Sequence, residues 1–351
     1  MRYIWVDYAK AIGIILVVYG HVARGIFNAG LPIQESTYKI VDSIIYSFHM
    51  PLFFFLSGLF FYDSLIKRGW RGLLANKIDT IVYPYLIWSI LQGSVEAVLS
   101  QWTNSHINFS QVLNLLWLPR AQFWFLYALF YVTIAAALIY ISASKKYFLH
   151  IVLAALIVYL LKDVFISMTP IENIIRQSPI GYILEFFCFF AMGIYFNQVQ
   201  DIIYKNSNKI LPVAFVIFCV TQYIFQVGYV SNYTMGIPTS LVLTIVSIIF
   251  IVTLSMRMSS TNISLLSLIG SYSMVIYLVH ILAGSGIRII LLKLFHINDI
   301  YTHILLGCIF GIFIPVLLIQ VSAKLHLSFL FAIPGKLSIE RRYNDSIQRI
   351  K

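Results

Sequence analysis

Charged side chains are scarce in this chain. They make up 11% of its 351 residues, against about 25% in soluble domains, while 60% are hydrophobic. No polar stretch is long enough to bury a core of its own, so a large aqueous domain is excluded. Cysteine is almost missing. Cys188, Cys219 and Cys308 all fall inside apolar runs, with no disulfide framework and no CxxC motif, so redox and metal chemistry are not expected. Internal repeats, low-complexity segments and Ser-rich linkers are also lacking. The net charge is +11, yet the 24 Lys and Arg are scattered between apolar runs, which excludes a basic stripe for nucleic acid.

What the chain does have is long apolar runs. Windows near the roughly 20 residues needed to cross a bilayer predict an all-α polytopic bundle of about ten spans. These begin near Tyr8, Ile44, Thr80, Phe123, Tyr147, Ile180, Ile210, Pro238, Ser271 and His303. The fifth is short before Lys162, and the tenth runs on through Lys324 towards Pro334. Placing the N-terminus in the cytoplasm puts 17 of the 24 Lys and Arg in inner segments, so both termini are expected to be cytoplasmic. The first run is long, lacks an A-x-A site and carries Lys10 and His21, so it is expected to be retained rather than cleaved. Residues 1–333 form the transmembrane domain in this reading, and 334–351 a short basic tail on the anionic inner leaflet.

Ionisable groups inside spans are costly, which makes them candidates for function. The first helix concentrates them. Lys10 and His21 are eleven positions apart, which leaves about 20° of rotation and about 16 Å of rise between them. Asp7 and Arg24 extend the same face, and such a stripe must meet protein rather than lipid. A purely packing role, through interhelical hydrogen bonds, is the rival reading. His21 is the candidate general base, since imidazole titrates near working pH. Lys10, at the inner interface, is placed to meet the phosphates of a cytoplasmic donor.

Other polar residues are candidates of the same kind. After FHMPLFFFLSGLFFY comes a basic loop with Lys67, Arg68, Arg71 and Lys77, read either as topology or as an anion site for a phosphorylated donor. His49 lies in that span with Pro51 loosening the helix beside it, and packing and catalysis are equal readings. Ser57 and Gly58 permit close helix approach. Trp124 starts the fourth span, as an interfacial anchor or a sugar-stacking platform. Glu185 is a lone carboxylate in the sixth span and requires a partner such as His21, Arg24 or Arg176. His280, in SYSMVIYLVH, lies at a depth near that of His21, with core packing as its rival role. Arg288 is placed further out.

Taken in order, DYAKAIGIILVVYGH, FHMPLFFFLSG, the basic loop leading to YPYLIW, FWFLYALF and YSMVIYLVH resemble the acyltransferase 3 family of integral-membrane O-acyltransferases, with the fucose 4-O-acetylase-like branch most similar. The resemblance covers nearly the whole chain. It implies transfer of an acyl group from cytoplasmic acyl-CoA, usually acetyl-CoA, to a hydroxyl of a cell-surface glycan or its lipid-linked precursor. Acetyl-CoA is then a co-substrate, with no permanent cofactor and no metal. The family's basic residue, ten residues, then histidine maps onto Lys10 and His21, and its later basic residues map onto Arg68, Arg71 or Lys77. The family often has arginine where this chain has Lys10, and lysine keeps the charge without the bidentate fork. Many members also carry an extracytoplasmic hydrolase-like domain. No such domain is expected from this sequence, so the chain would acylate its acceptor directly or hand the group to a separate extracytoplasmic transferase.

The expected activity is therefore that of a bacterial inner-membrane O-acetyltransferase. Its expected catalytic residues are His21, Lys10, His280 and Glu185. Lys10, Arg68, Arg71 and Lys77 would hold the donor, and Arg24, His49 and Trp124 the acceptor. Direct activation by His21 and acylation of His21 itself both stay open. A transporter or flippase of lipid-linked sugar is the alternative, although carriers commonly show repeats and matched helix breaks that this chain lacks. A purely structural or sensory role is disfavoured by the clustering of Asp7, Lys10, His21 and Arg24 on one helix.

Overall fold

The computed structural model describes residues 3–99, 114, 118–232 and 237–350. Among the described residues the fold is helical, with no strand. In chain order the helices are α1 (Ile4–Asn28), α2 (Glu35–Tyr46), α3 (His49–Leu59), α4 (Phe61–Lys77), α5 (Tyr83–Val98), α6 (Trp124–Tyr140) and α7 (Phe148–Ser167). There follow α8 (Glu172–Arg176), α9 (Pro179–Asn232), α10 (Ile237–Met258), α11 (Ser264–Ser271), α12 (Ser273–Lys293), α13 (Ile300–Lys324) and α14 (Ile339–Ile350). Arg2 and Lys351, which entered the topology count, lie outside the described residues.

Among the described residues eight helices are long and apolar enough to cross a membrane, and the protein is a polytopic helical bundle. Two local features separate eight from the expected ten. The spans expected from Ile180 and Ile210 belong to the single helix α9, because the polar stretch between them, Asn197 to Lys209, contains no Gly or Pro to break it. Pro212 is accommodated inside that helix. The span expected from Thr80 is a π-helical turn, Ile78–Val82, followed by the 16 residues of α5. The fifth span also differs from expectation, since α7 runs on through Lys162 to Ser167. Its charge is met there by Glu185, and Lys162 Nζ lies 3.9 Å from the centroid of the Tyr159 ring.

The chain divides into two compact units. One comprises Met1–Phe53 and Gln198–Leu318, the other Phe54–Asn197 and Ile319–Lys351. In the first, α1 is the central helix, packed against α2, α10, α11 and α12. Tyr8, Ala9, Ala11 and Val18 have no exposed surface, which explains how this helix carries charged residues without presenting them to lipid. Gly270 of α11 lies so close to α1 that a Cβ there would strike the Asp7 carbonyl.

In the second unit α3 and α9 cross through a reciprocal pair of glycines. A Cβ on Gly58 would run into the Phe190 carbonyl, and one on Gly193 into the Phe55 carbonyl. Small residues allow this backbone approach, as expected of Gly58. Phe54 stacks on Phe186 at 4.4 Å beside the crossing. The tail expected after Pro334 is ordered as α14 and docks on α4 and the π turn. The Asp79 carboxylate accepts from Ser338 Oγ at 2.6 Å and from the backbone N–H groups of Ile339 and Glu340, both at 3.1 Å. A carboxylate there satisfies orphan donors at the helix start and suits its dipole.

Candidate active site

The candidate site lies within the first unit and is built on α1. His21 and His280 meet there from α1 and α12, with ring centroids 5.1 Å apart and planes inclined by 57°. His280 is 1% exposed. Its Nδ1 lies 3.0 Å from the Ile276 carbonyl and 2.8 Å from that of Tyr277. Carbonyls only accept, so Nδ1 carries the hydrogen and Nε2 is left with its lone pair. That Nε2 is buried and has no partner among the described residues. A buried acceptor in this state is a proton acceptor in waiting, and such groups call for a functional account.

Arg24, one turn beyond His21 on α1, is gripped by Asp42 of α2. Nε donates to Oδ1 and Nη2 to Oδ2, each at 2.8 Å, which is the bidentate fork. The guanidinium also lies 3.4 Å from the centroid of the Tyr46 ring. Tyr46 in turn meets His49 edge-on at 4.5 Å, and its hydroxyl is buried without a partner among the described residues. His49 Nδ1 donates to the Ile45 carbonyl at 2.7 Å. The helix break falls immediately before His49, between α2 and α3, and Pro51 occupies the first turn of α3, where a missing N–H costs little. His21, Arg24, His49 and His280 are thus brought into one cluster, with Arg24 and His49 within electrostatic reach of His21.

A cavity of about 220 Å³ opens beside the cluster. Gly20 and Ala23 of α1 form part of its wall, facing Tyr38 and Asp42 of α2, with Tyr19, Gln34, Thr37 and Tyr301 around it. Tyr38 is held by stacking on Phe27 at 4.4 Å. Arg288 is buried at 7% exposure and donates to the Gly25 carbonyl, so it closes the C-terminal end of α1.

The remaining candidates are placed differently. Glu185 belongs to the second unit and pairs with Lys162, not with His21, Arg24 or Arg176 as expected. Arg176 pairs with Asp163 and Glu172 instead, both at 2.8 Å. Trp124 is also in the second unit, stacked on Tyr182 at 5.8 Å and 17°, so an aromatic side chain already covers a ring face. Lys10 is half-buried in α1, eleven residues before His21.

The basic loop lies on α4, in the second unit. Lys67, Arg68, Asn76 and Lys77 share a cavity of about 340 Å³, with Asp63 and Ser64 also on its wall. Arg71 is not part of it. Gly69, at φ 67° and ψ 170°, breaks the helical register between Arg68 and Arg71, and Arg71 lies instead near the Trp70 ring, 5.2 Å from its centroid. Burial, and then the neighbouring Arg68, lower the Lys77 ammonium below its usual value, while Glu340 opposes them. Among the described residues no group of three or more His, Cys, Asp or Glu is placed to hold a metal ion.

Reading along the sequence missed Asp42 and Tyr46. A signal was present, because Asp42, Tyr46 and His49 are spaced i, i+4, i+7, which is one helical face.

These features define a polytopic membrane protein with a histidine-centred candidate site among its helices. Residues 3–320 match the acyltransferase domain of the acyltransferase 3 family, and the chain belongs to that family. It is similar to nodulation protein NolL of Sinorhizobium fredii, at 26% identity over 222 residues, covering 60% of this chain and 52% of that protein. Nodulation protein NolL of Mesorhizobium japonicum is 24% identical over 197 residues, covering 55% and 47%. The chain spans about half the length of these relatives. No solved structure matches it.

Proposed function

We propose that this protein is an integral-membrane O-acyltransferase. It moves an acyl group, acetyl from cytoplasmic acetyl-CoA, to a hydroxyl of a cell-surface polysaccharide or its lipid-linked precursor in a bacterial inner membrane. The observation that carries this reading is the His21–His280 ring pair, in which Nε2 of the buried His280 is an acceptor with no partner among the described residues. An acyl transfer needs a base for the incoming hydroxyl and a donor for the developing oxyanion.

His21 takes the proton of the acceptor hydroxyl, and the oxygen attacks the thioester carbonyl carbon. The carbonyl electrons move onto the oxyanion, which the N–H groups of Arg24 not committed to Asp42 stabilise. The intermediate collapses with cleavage of the C–S bond, and the imidazolium returns its proton to the departing thiolate. His280 packs its ring against His21, and its Nε2 lone pair buffers the charge that develops there. The cavity beside Arg24 suits a hydroxyl-rich acceptor, since Asp42 retains lone pairs and Tyr38 offers a rigid ring face. Lys10, and separately the Lys67–Arg68–Lys77 cavity, suit the phosphates of the donor as charged contacts.

The test is transfer of labelled acetyl from acetyl-CoA in membranes carrying the wild type or His21→Ala, with label on protein, lipid and glycan separated. Label on glycan or lipid with the wild type alone is the expected result. Equal labelling by both chains removes His21 from the chemistry, and no labelling above membranes lacking the protein favours a carrier.

A further inference from the structure

Within the second unit a carboxylate from the far end of the chain is bonded to two residues of the basic cavity's wall. Glu340 Oε1 accepts from Arg68 Nε at 3.0 Å, and Oε2 accepts from Asn76 Nδ2 at 2.8 Å. Both partners line the cavity that also holds Lys67 and Lys77. Among the described residues Lys77 makes no ion pair, and the three cations Lys67, Arg68 and Lys77 outnumber the two carboxylates, Asp63 and Glu340, so the cavity keeps a net positive charge. A guanidinium fork accepts a carboxylate and a phosphate in the same geometry.

We propose that Glu340 stands in for a donor phosphate, so that α14 is an autoinhibitory strap which the donor displaces. This rests on the reading of the Lys67–Arg68–Lys77 cavity as the donor's phosphate site. The contact is suited to exchange. The side chains of Arg68 and Glu340 are 35% and 26% exposed, so their ion pair is open to water and weak. A phosphate brings more charge and more acceptor oxygens to the same donors. The strap is positioned by a separate latch, the Asp79 carboxylate on Ser338 Oγ and on the N–H groups of Ile339 and Glu340. Gly72 leaves room for the Tyr343 ring, which a Cβ would approach to 3.2 Å. Two states follow. In one Glu340 holds Arg68 and α14 is docked; in the other a phosphate holds Arg68 and the start of α14 is released. Each event disfavours the other by the same factor.

The test uses the full chain in lipid nanodiscs, with coenzyme A as the probe. Affinity is measured by calorimetry for the wild type, Glu340→Gln and Ser338→Ala. Amide hydrogen exchange at 339–342 is followed with and without coenzyme A. Ser338→Ala is the decisive variant, because it weakens the latch without changing any charge near the cavity. The expected result is binding tightened about fivefold in both variants, the scale of an exposed ion pair. Coenzyme A should also speed exchange at Ile339 and Glu340 in the wild type. An unchanged affinity in Ser338→Ala, or slower exchange in α14 on binding, overturns the strap while leaving the donor site standing. No binding by any of the three chains overturns the donor reading, and the strap with it. Should Glu340→Gln fail to fold, Ser338→Ala and the exchange data decide.

Discussion

His280 presents its ring to His21 with one nitrogen tied to its own helix and the other left without a partner among the described residues. The Nδ1 bonds to Ile276 and Tyr277 lock tautomer and ring orientation together, so His280 is an acceptor by construction rather than by chance of protonation. That arrangement makes the pair asymmetric: His280 is fixed, while no hydrogen-bond partner for the His21 ring lies among the described residues.

Replacing His280 by Phe keeps the bulk and removes the acceptor. Acyl transfer should fall by about ten- to a hundredfold in turnover, with the acetyl-CoA KM unchanged. Steady-state kinetics on purified protein in nanodiscs checks this. A change confined to KM would mean that His280 shapes binding instead.

Lys10 is read as a point charge for the donor, so charge should matter there more than shape. Lys10→Ala is expected to raise the acetyl-CoA KM by about tenfold, and Lys10→Arg to leave it within about twofold. Equal loss in both variants would point to a packing role for the lysine.

Much of this site could be read from the chain. The interval from Lys10 to His21 is a helical period within one span, and His280 lies at a matching depth in another, so intrahelical arithmetic was enough to nominate them. Arg24 was on the same stripe, but its partner was not legible, because Asp42 lies on a different helix and only packing decides which carboxylate a buried arginine meets. The partner of Glu185 was not legible for the same reason. Glu185 was one of few acids in the spans, and its neighbour Lys162 had been read only as the end of an apolar run. Glu340 lies 272 residues from Arg68, and nothing local in an exposed, charged tail marks such a contact. Arg71 stands with Arg68 in a run expected as a basic loop; the run is helical, and the positive φ of Gly69 separates the two arginines.

The Arg24–Asp42 fork can be tested by separating charge from geometry. Arg24→Lys keeps the cation but loses the bidentate grip, and transfer should drop about tenfold with folding intact. Asp42→Ala leaves a half-buried guanidinium unpaired and should lower stability by about 1–3 kcal/mol, read as a shift in the thermal unfolding midpoint. An unshifted midpoint in Asp42→Ala would show the fork to be energetically idle.

For Lys162 and Glu185 the informative experiment is a double-mutant cycle. Lys162→Met strands Glu185 and Glu185→Met strands a lysine that is 8% exposed, so each should destabilise the protein by about 2–4 kcal/mol. The double replacement should recover most of that loss. Additive losses would show that the two charges do not act as a pair.

The same pair has a consequence for biogenesis. Lys162 leaves the ribosome 23 residues before Glu185, so α7 must enter the membrane while its ammonium has no carboxylate to meet. On an insertion scale a lysine at a helix centre costs about 2.5–3.5 kcal/mol, an upper bound for Lys162, which lies five residues before the end of α7; the apolar remainder of α7 offsets that cost alone until α9 is made. The seating of α7 is therefore provisional during synthesis, and a nascent chain halted between the two residues holds a helix the translocon has reason to retain.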